Sequence, residues 1–351
     1  MKKYVMLSVI FSFIIVASGC AKSVNKLNEQ ERDYSVAVMR TPKTDSLFRK
    51  TKIELYDKDL KLIKVNKYLY GGVGRTNWGL PFKEGKYVYE LSLGYGVDEE
   101  DCKVLQLNSK NGKIKEYKVC KHVNDIYVDG RYIYGIANLN GDTTVSRTTI
   151  KDNKIEEIEV KNEMCMECCI YNGSLYRLTD WKNGRIFLAE VDFDEKGASV
   201  NKIELTKYID EDTEPSSFYD YKDKLYVPAK ENLLCIKNNK VKKTKIKVLD
   251  NTNPRLLKGV GKYLYMAVSS LFAENDNSKI IKYNMDSDKI EAEYNINSCI
   301  LQFDVVGTDL YVINFDNELV KYKIEKGNLI EKNKIELEVG DEEYLSAMYA
   351  K

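Results

Sequence analysis

Among its 351 residues the chain has a single histidine, His122. Ser-His-Asp and Cys-His catalysis would both have to pass through it, and neither a G-x-S-x-G nor an H-E-x-x-H segment occurs. Tryptophan is almost as scarce, with only Trp78 and Trp181, and there are five prolines. Charge of one sign is missing too: 55 basic and 54 acidic residues, spread evenly, leave a formal +1. Phosphate neutralisation needs a concentrated basic surface, so nucleic acid is not an expected partner. After the first twenty residues no apolar run approaches membrane-spanning length.

Those first twenty residues, MKKYVMLSVIFSFIIVASGC, are the opposite case. Two lysines precede an apolar stretch from Tyr4 to Ala17, and small residues follow, which is the pattern of a secretory signal. The run Ala17-Ser18-Gly19-Cys20 resembles the lipobox of bacterial lipoproteins, with Ala17 where that family usually has Leu. The resemblance implies that residues 1–19 are a signal peptide and that Cys20 becomes an acylated N-terminus holding the protein to the extracytoplasmic face of the cell membrane. Each buried methylene contributes about 0.8 kcal/mol, so two acyl chains anchor stably where one is marginal. Residues 20–33 are polar and read as a flexible tether, leaving 34–351 as the folded domain.

That domain repeats. A short apolar segment ending in tyrosine follows a turn six times, at Tyr89, Tyr134, Tyr176, Tyr226, Tyr265 and Tyr311. The mean spacing is about 44 residues, the length of a four-stranded propeller blade. A preceding apolar run, such as Asp125 to Val128 or Phe303 to Val306, joins it through a tight turn (Asp129-Gly130, Asn172-Gly173, Gly307-Thr308) and makes strands A and B. Segments such as KVLQLN and KIIKYNMD supply strand C, and Lys/Glu-punctuated ones such as KIKEYKV and KIEAEYNI supply strand D. In the last of these, Ile290, Ala292, Tyr294 and Ile296 alternate with polar residues, as a half-exposed strand should.

Six complete repeats span roughly Trp78 to Val339. YSVAVMR, TKIELYD and LKLIKV, between Tyr34 and Val65, look like strands B, C and D lacking an A, while the C-terminal YLSAMYAK is one strand lacking partners. Joined, they complete a seventh blade from both chain ends, which removes the open edges of the ring. The expected fold is therefore all-β, a seven-bladed β-propeller of four-stranded blades. The alternative is six blades, because KYLY at 67–70 mimics the strand B motif. The repeat pattern resembles the broad class of bacterial extracytoplasmic propellers that includes the YVTN-like and quinoprotein-like groups. Their functional residues are not matched: the Trp-docking motif of quinoproteins is absent, as are WD and kelch signatures.

In such a ring the D–A and B–C connections open on one face, which is the expected binding surface. Trp78, Tyr95, Asp142, Asp180 and Trp181 fall there and are the candidate ligand-binding residues. Acidic stretches at 98–101, 210–214 and 274–277 lack the D-x-[DN]-x-[DN]-G pattern of calcium loops, and CMECC at 165–169 has no second half with metal-site spacing. No metal or cofactor is expected. Cys102 opens strand C and Cys120 closes strand D of the first complete blade, so they are a candidate disulfide across the hairpin. Cys235 and Cys299 fall within strands, where cysteine behaves as a small apolar residue.

Together these readings point to a monomeric, lipid-anchored propeller that binds an extracellular protein or a cell-envelope glycan without catalysis. Two alternatives stand beside it: a carbohydrate-active enzyme using carboxylates in the central channel, and a sensor or accessory subunit of a membrane system.

Overall fold

The computed structural model describes residues 34–43, 50–74, 79–93, 102–181, 184–194, 201–209, 217–248, 252–269 and 277–351, with only the backbone of Asp180 and Trp181. All its regular elements are strands, arranged as seven antiparallel sheets of four strands each in a propeller. Among the described residues no helix is long and apolar enough to cross a membrane.

Blades 1 to 6 follow the chain. Their innermost strands, A, are Phe82–Glu84, Asp125–Val128, Met164–Tyr171, Tyr219–Tyr221, Asn253–Val260 and Ile300–Val306. The seventh sheet runs Glu343–Ala350, Val36–Pro42, Thr51–Tyr56, Leu62–Tyr68, so the last strand of the chain is strand A of the blade whose B, C and D strands come first. KYLY at 67–70 ends strand D of this closure blade with Lys67 and Tyr68, and Leu69 and Tyr70 follow the strand. Its tyrosines turn to blade 1, where the Tyr68 hydroxyl donates to the Gly112 carbonyl (3.1 Å) and that of Tyr70 to Glu116 (2.5 Å). The six-bladed alternative is thereby excluded.

Burial is greatest on the middle strands of a blade and falls toward the outermost one. Strand B of blade 5, Tyr263–Ser269, is buried at six of its seven positions. The outer strand Lys240–Lys245 of blade 4 (KVKKTK) is exposed or half-exposed throughout. Sheets packed on both faces need continuous apolar runs, while outer lysines keep the last edge from pairing with other chains.

Among the described residues the core is partitioned into seven apolar clusters, the buried members of each coming mainly from two neighbouring blades. An open row of seven sheets has six such interfaces, and the seventh joins Val36 and Met348 of the closure blade to Tyr311 and Leu319 of blade 6. The marker tyrosines sit in these wedges, all of them buried. Tyrosine suits the place because its ring fills apolar space while its hydroxyl reaches a polar rim. In blade 1 the Tyr89 hydroxyl accepts from Gln106 Nε2 (2.6 Å), and in blade 4 that of Tyr226 donates to the Met285 carbonyl of blade 5 (3.3 Å).

Turn chemistry follows the sequence. Asn172 and Gly173 have φ of 52° and 82°, the paired left-handed geometry of a two-residue hairpin. Loop lengths depart from the simple scheme: the B–C connections of blades 2, 4 and 6 are tight, and the C–D connection of blade 3 is long, from Val191 to Lys202.

Candidate functional site at the axial channel

Strand A of each blade borders the axis, and five of them line one cavity of about 270 Å³. Blade 1 gives Phe82 and Lys83, blade 2 Tyr127, blade 3 Glu167 and Cys168, blade 4 Phe218, Tyr219 and Asp220, and blade 5 Lys258 and Gly259. Tyr127, Asp220 and Gly259 lie within three residues of their A–B turns, so the cavity occupies the half of the channel nearer the A–B turns. Gly259 permits the close approach of blades 4 and 5: a Cβ there would lie 1.8 Å from Cζ of Tyr219.

The charged groups divide by side. On the side of blades 5, 6 and 1, Lys258 Nζ lies 2.9 Å from Oδ1 of buried Asp304 in blade 6. Asp304 Oδ2 accepts the Ala350 amide (2.8 Å), while Lys83 donates to the Ala350 carbonyl. These charges therefore hold the C-terminal strand in place. Burial lowers the pKa of Lys83, with Asp304 opposing the shift and Lys258 adding to it.

On the side of blades 2 to 4 the surroundings are aromatic and acidic. Asp220 is open to channel water at its surface, yet protein encloses it at slightly longer range. That enclosure raises its pKa, opposed only by a hydrogen bond from its own backbone amide. Tyr127 is pushed well above the usual phenol range by burial first, then by Cys169 and Asp220. Glu167 is 2 % exposed, and one of its oxygens accepts the Cys168 amide (3.2 Å). Glu167 and Asp220 thus share one cavity from adjacent blades.

Of the residues singled out from sequence as ligand-binding, Asp142 is described in full and is not part of the lining of the axial cavity. Cys20, Trp78 and Tyr95 lie outside the described residues. Asp180 and Trp181 end strand B of blade 3, opposite Met164 and Arg185 respectively, and their side chains are likewise outside the description. Asp142 starts strand C of blade 2, where it accepts the Asn162 amide (2.8 Å) and pairs with Lys161 (3.0 Å), so it organises the connection to blade 3. The three thiols of CMECC are buried on an inner strand, and burial raises their pKa values.

Cys102 and Cys120 pack in one apolar cluster, where Cys120 is buried and Cys102 half-buried. The strand register pairs Lys103 with Lys118, which offsets the two cysteines by one position. Burial pushes the Cys120 thiol up to about 11. Both line a second cavity of about 490 Å³ between the outer strands of blades 1 and 2. That cavity is the larger, but two blades make its wall and lysine and glutamate side chains border it. The axial cavity draws on five blades and encloses aromatic groups, which favours it as the ligand site.

The axial residues were not found from sequence because each stands alone in an ordinary strand. One signal was available: Lys258 and Asp304 each sit three residues before a turn glycine, a charge where the innermost strand needs none for packing.

No family model matches the chain. No curated protein sequence matches it either. Among solved structures it resembles two proteins described as "putative 6-phosphogluconolactonase". For the one from Bacteroides uniformis the TM-score is 0.62 at 14% identity, over 91% of this chain and 100% of that one. For the one from Bacteroides fragilis the TM-score is 0.59 at 12% identity, over 93% and 99%. Citrobacter koseri AztD is similar at a TM-score of 0.54 and 9% identity, over 91% and 97%. At such identities the likeness shows a shared propeller fold.

Proposed function

We propose that this protein is a lipid-anchored extracytoplasmic binding module, tethered through Cys20 and presenting the propeller to a protein or glycan of the cell envelope. The observation that carries the binding role is the axial cavity, to which five blades contribute aromatic and charged side chains. A rigid ring that gathers polar groups from distant parts of the chain on one axis is a usual place for a ligand. The anchor rests on the signal and the Ala17-Ser18-Gly19-Cys20 run.

The test has two parts. Full-length protein is expected in the membrane fraction and labelled by fatty acid, whereas Cys20→Ser is expected to be unlabelled and released. The full chain is also expected to co-sediment with purified envelope saccharide or to cross-link to an envelope protein, and Asp220→Asn is expected to weaken that capture. Labelling of Cys20→Ser equal to wild type, or capture by neither envelope fraction, would overturn the reading.

A second reading, hydrolysis of a carbohydrate, is favoured by the shared position of Glu167 and Asp220. Paired carboxylates are the usual equipment of glycoside hydrolysis. Turnover of an envelope glycan, abolished in both Glu167→Gln and Asp220→Asn, would establish it.

A further inference from the structure

The two sides of the axial cavity differ in what their charges are already doing. Lys258 is paired with Asp304, and Lys83 is bonded to the backbone of the last strand. Neither lysine is set aside for an anion. The Asp220 carboxylate makes no hydrogen bond or ion pair to another side chain among the described residues, and Tyr127, Phe218, Tyr219 and Phe82 line the same space. A hard metal ion would need several converging oxygen ligands, and no group of three metal-ligating side chains occurs among the described residues.

We propose that the axial cavity binds a small ligand through a free ammonium group, seated on the Asp220 carboxylate among the side chains of Tyr127, Phe218 and Tyr219. The proposal rests on the reading of the axial cavity as the ligand site. An ammonium group offers three hydrogen-bond donors, and aromatic faces attract a cation that has left water. The carboxylate is also costly to keep charged where it stands, since enclosure disfavours its ionised form. A bound cation offsets that cost, and a neutral or anionic ligand does not. The volume, about 270 Å³, limits the occupant to a small molecule or to one residue of a larger chain.

The experiment is isothermal titration of the full chain in neutral detergent with n-butylammonium, glucosamine and gluconate in turn. Saturable binding of either amine is expected, with the dissociation constant raised tenfold or more in Asp220→Asn. Gluconate is expected to give no saturation. The melting temperature of the variant checks that it folds, and Asp220→Glu, which keeps the charge, is expected to retain part of the affinity. Binding of gluconate alone, saturation by neither amine, or an unchanged constant in Asp220→Asn would overturn the proposal. If the amines fail while envelope capture still depends on Asp220, the cavity remains the ligand site and only the ligand chemistry is wrong. If both fail, the site itself is lost.

Discussion

The closure blade and its neighbour blade 6 have the same four strands but hold them in register by different means. In blade 6 strand A meets strand B through a two-residue turn at Gly307 and Thr308, and the pairing Val306↔Asp309 follows from chain connectivity. In the closure blade strands A and B are the two ends of the chain, and no turn sets Val36 opposite Ala350. Side chains take over that task. Buried Arg40 of strand B is bonded to Glu54 of strand C, and Glu54 Oε2 accepts the Tyr56 hydroxyl (2.8 Å). Glu343 of strand A lies 3.8 Å from Arg40 and 2.6 Å from Lys52. A sheet slipped by one residue would reverse every side chain and leave these charges buried without partners, a large penalty. Where a turn cannot specify register, a buried ionic cluster can.

Four changes break or sharpen this contrast. Removing residues 343–351 should have the largest effect, since it deletes one strand and opens two wedge cores. The expected outcome is loss of a single cooperative thermal transition, followed by circular dichroism and limited proteolysis. Next, Glu54→Ala strands Arg40 in the interior and should cost about 3–5 kcal/mol in denaturant unfolding. The control is Glu204→Ala in blade 3, whose partner Arg185 is on the surface, and it should leave the unfolding midpoint unchanged. Equal effects of the two would dissolve the distinction between clasp and surface pair.

Asp304→Ala removes the acceptor for the Ala350 amide and the partner of Lys258. It should cost about 2 kcal/mol and speed hydrogen exchange at 343–350 more than in strand A of blade 5. The smallest effect concerns pH. Because the folded-state pKa of Asp220 is raised by burial, the native state holds that proton more tightly than the unfolded chain does. The stabilisation from this group is full below about pH 4 and is lost as the pH rises through the raised value. Asp220→Asn should therefore gain in melting temperature relative to wild type between acidic and neutral pH. A constant difference across that range would remove Asp220 from the enclosed part of the channel.

The fold was legible because blades are local. Tyr134 and Tyr265 mark strand B in a period that needs no knowledge of what lies across the ring, and the unpartnered YLSAMYAK announced its own closure. The axial cavity was not legible for the converse reason. Lys83, Glu167, Asp220 and Lys258 are far apart in sequence, and only the curvature of the ring brings them together. Asp142 drew attention as a loop acid, yet it caps a connection. Exposure in a loop and service to a ligand look alike until partners are known.

The Lys351 amide donates to the Ser35 carbonyl at 2.9 Å, so the two ends of the domain meet where every other blade has its A–B turn. Whatever precedes Tyr34 must leave from that rim. On the proposed mooring through Cys20, the attachment therefore leaves the ring on its A–B turn side, opposite the connections between blades. The proposed attachment and the axial cavity would then share one half of the ring.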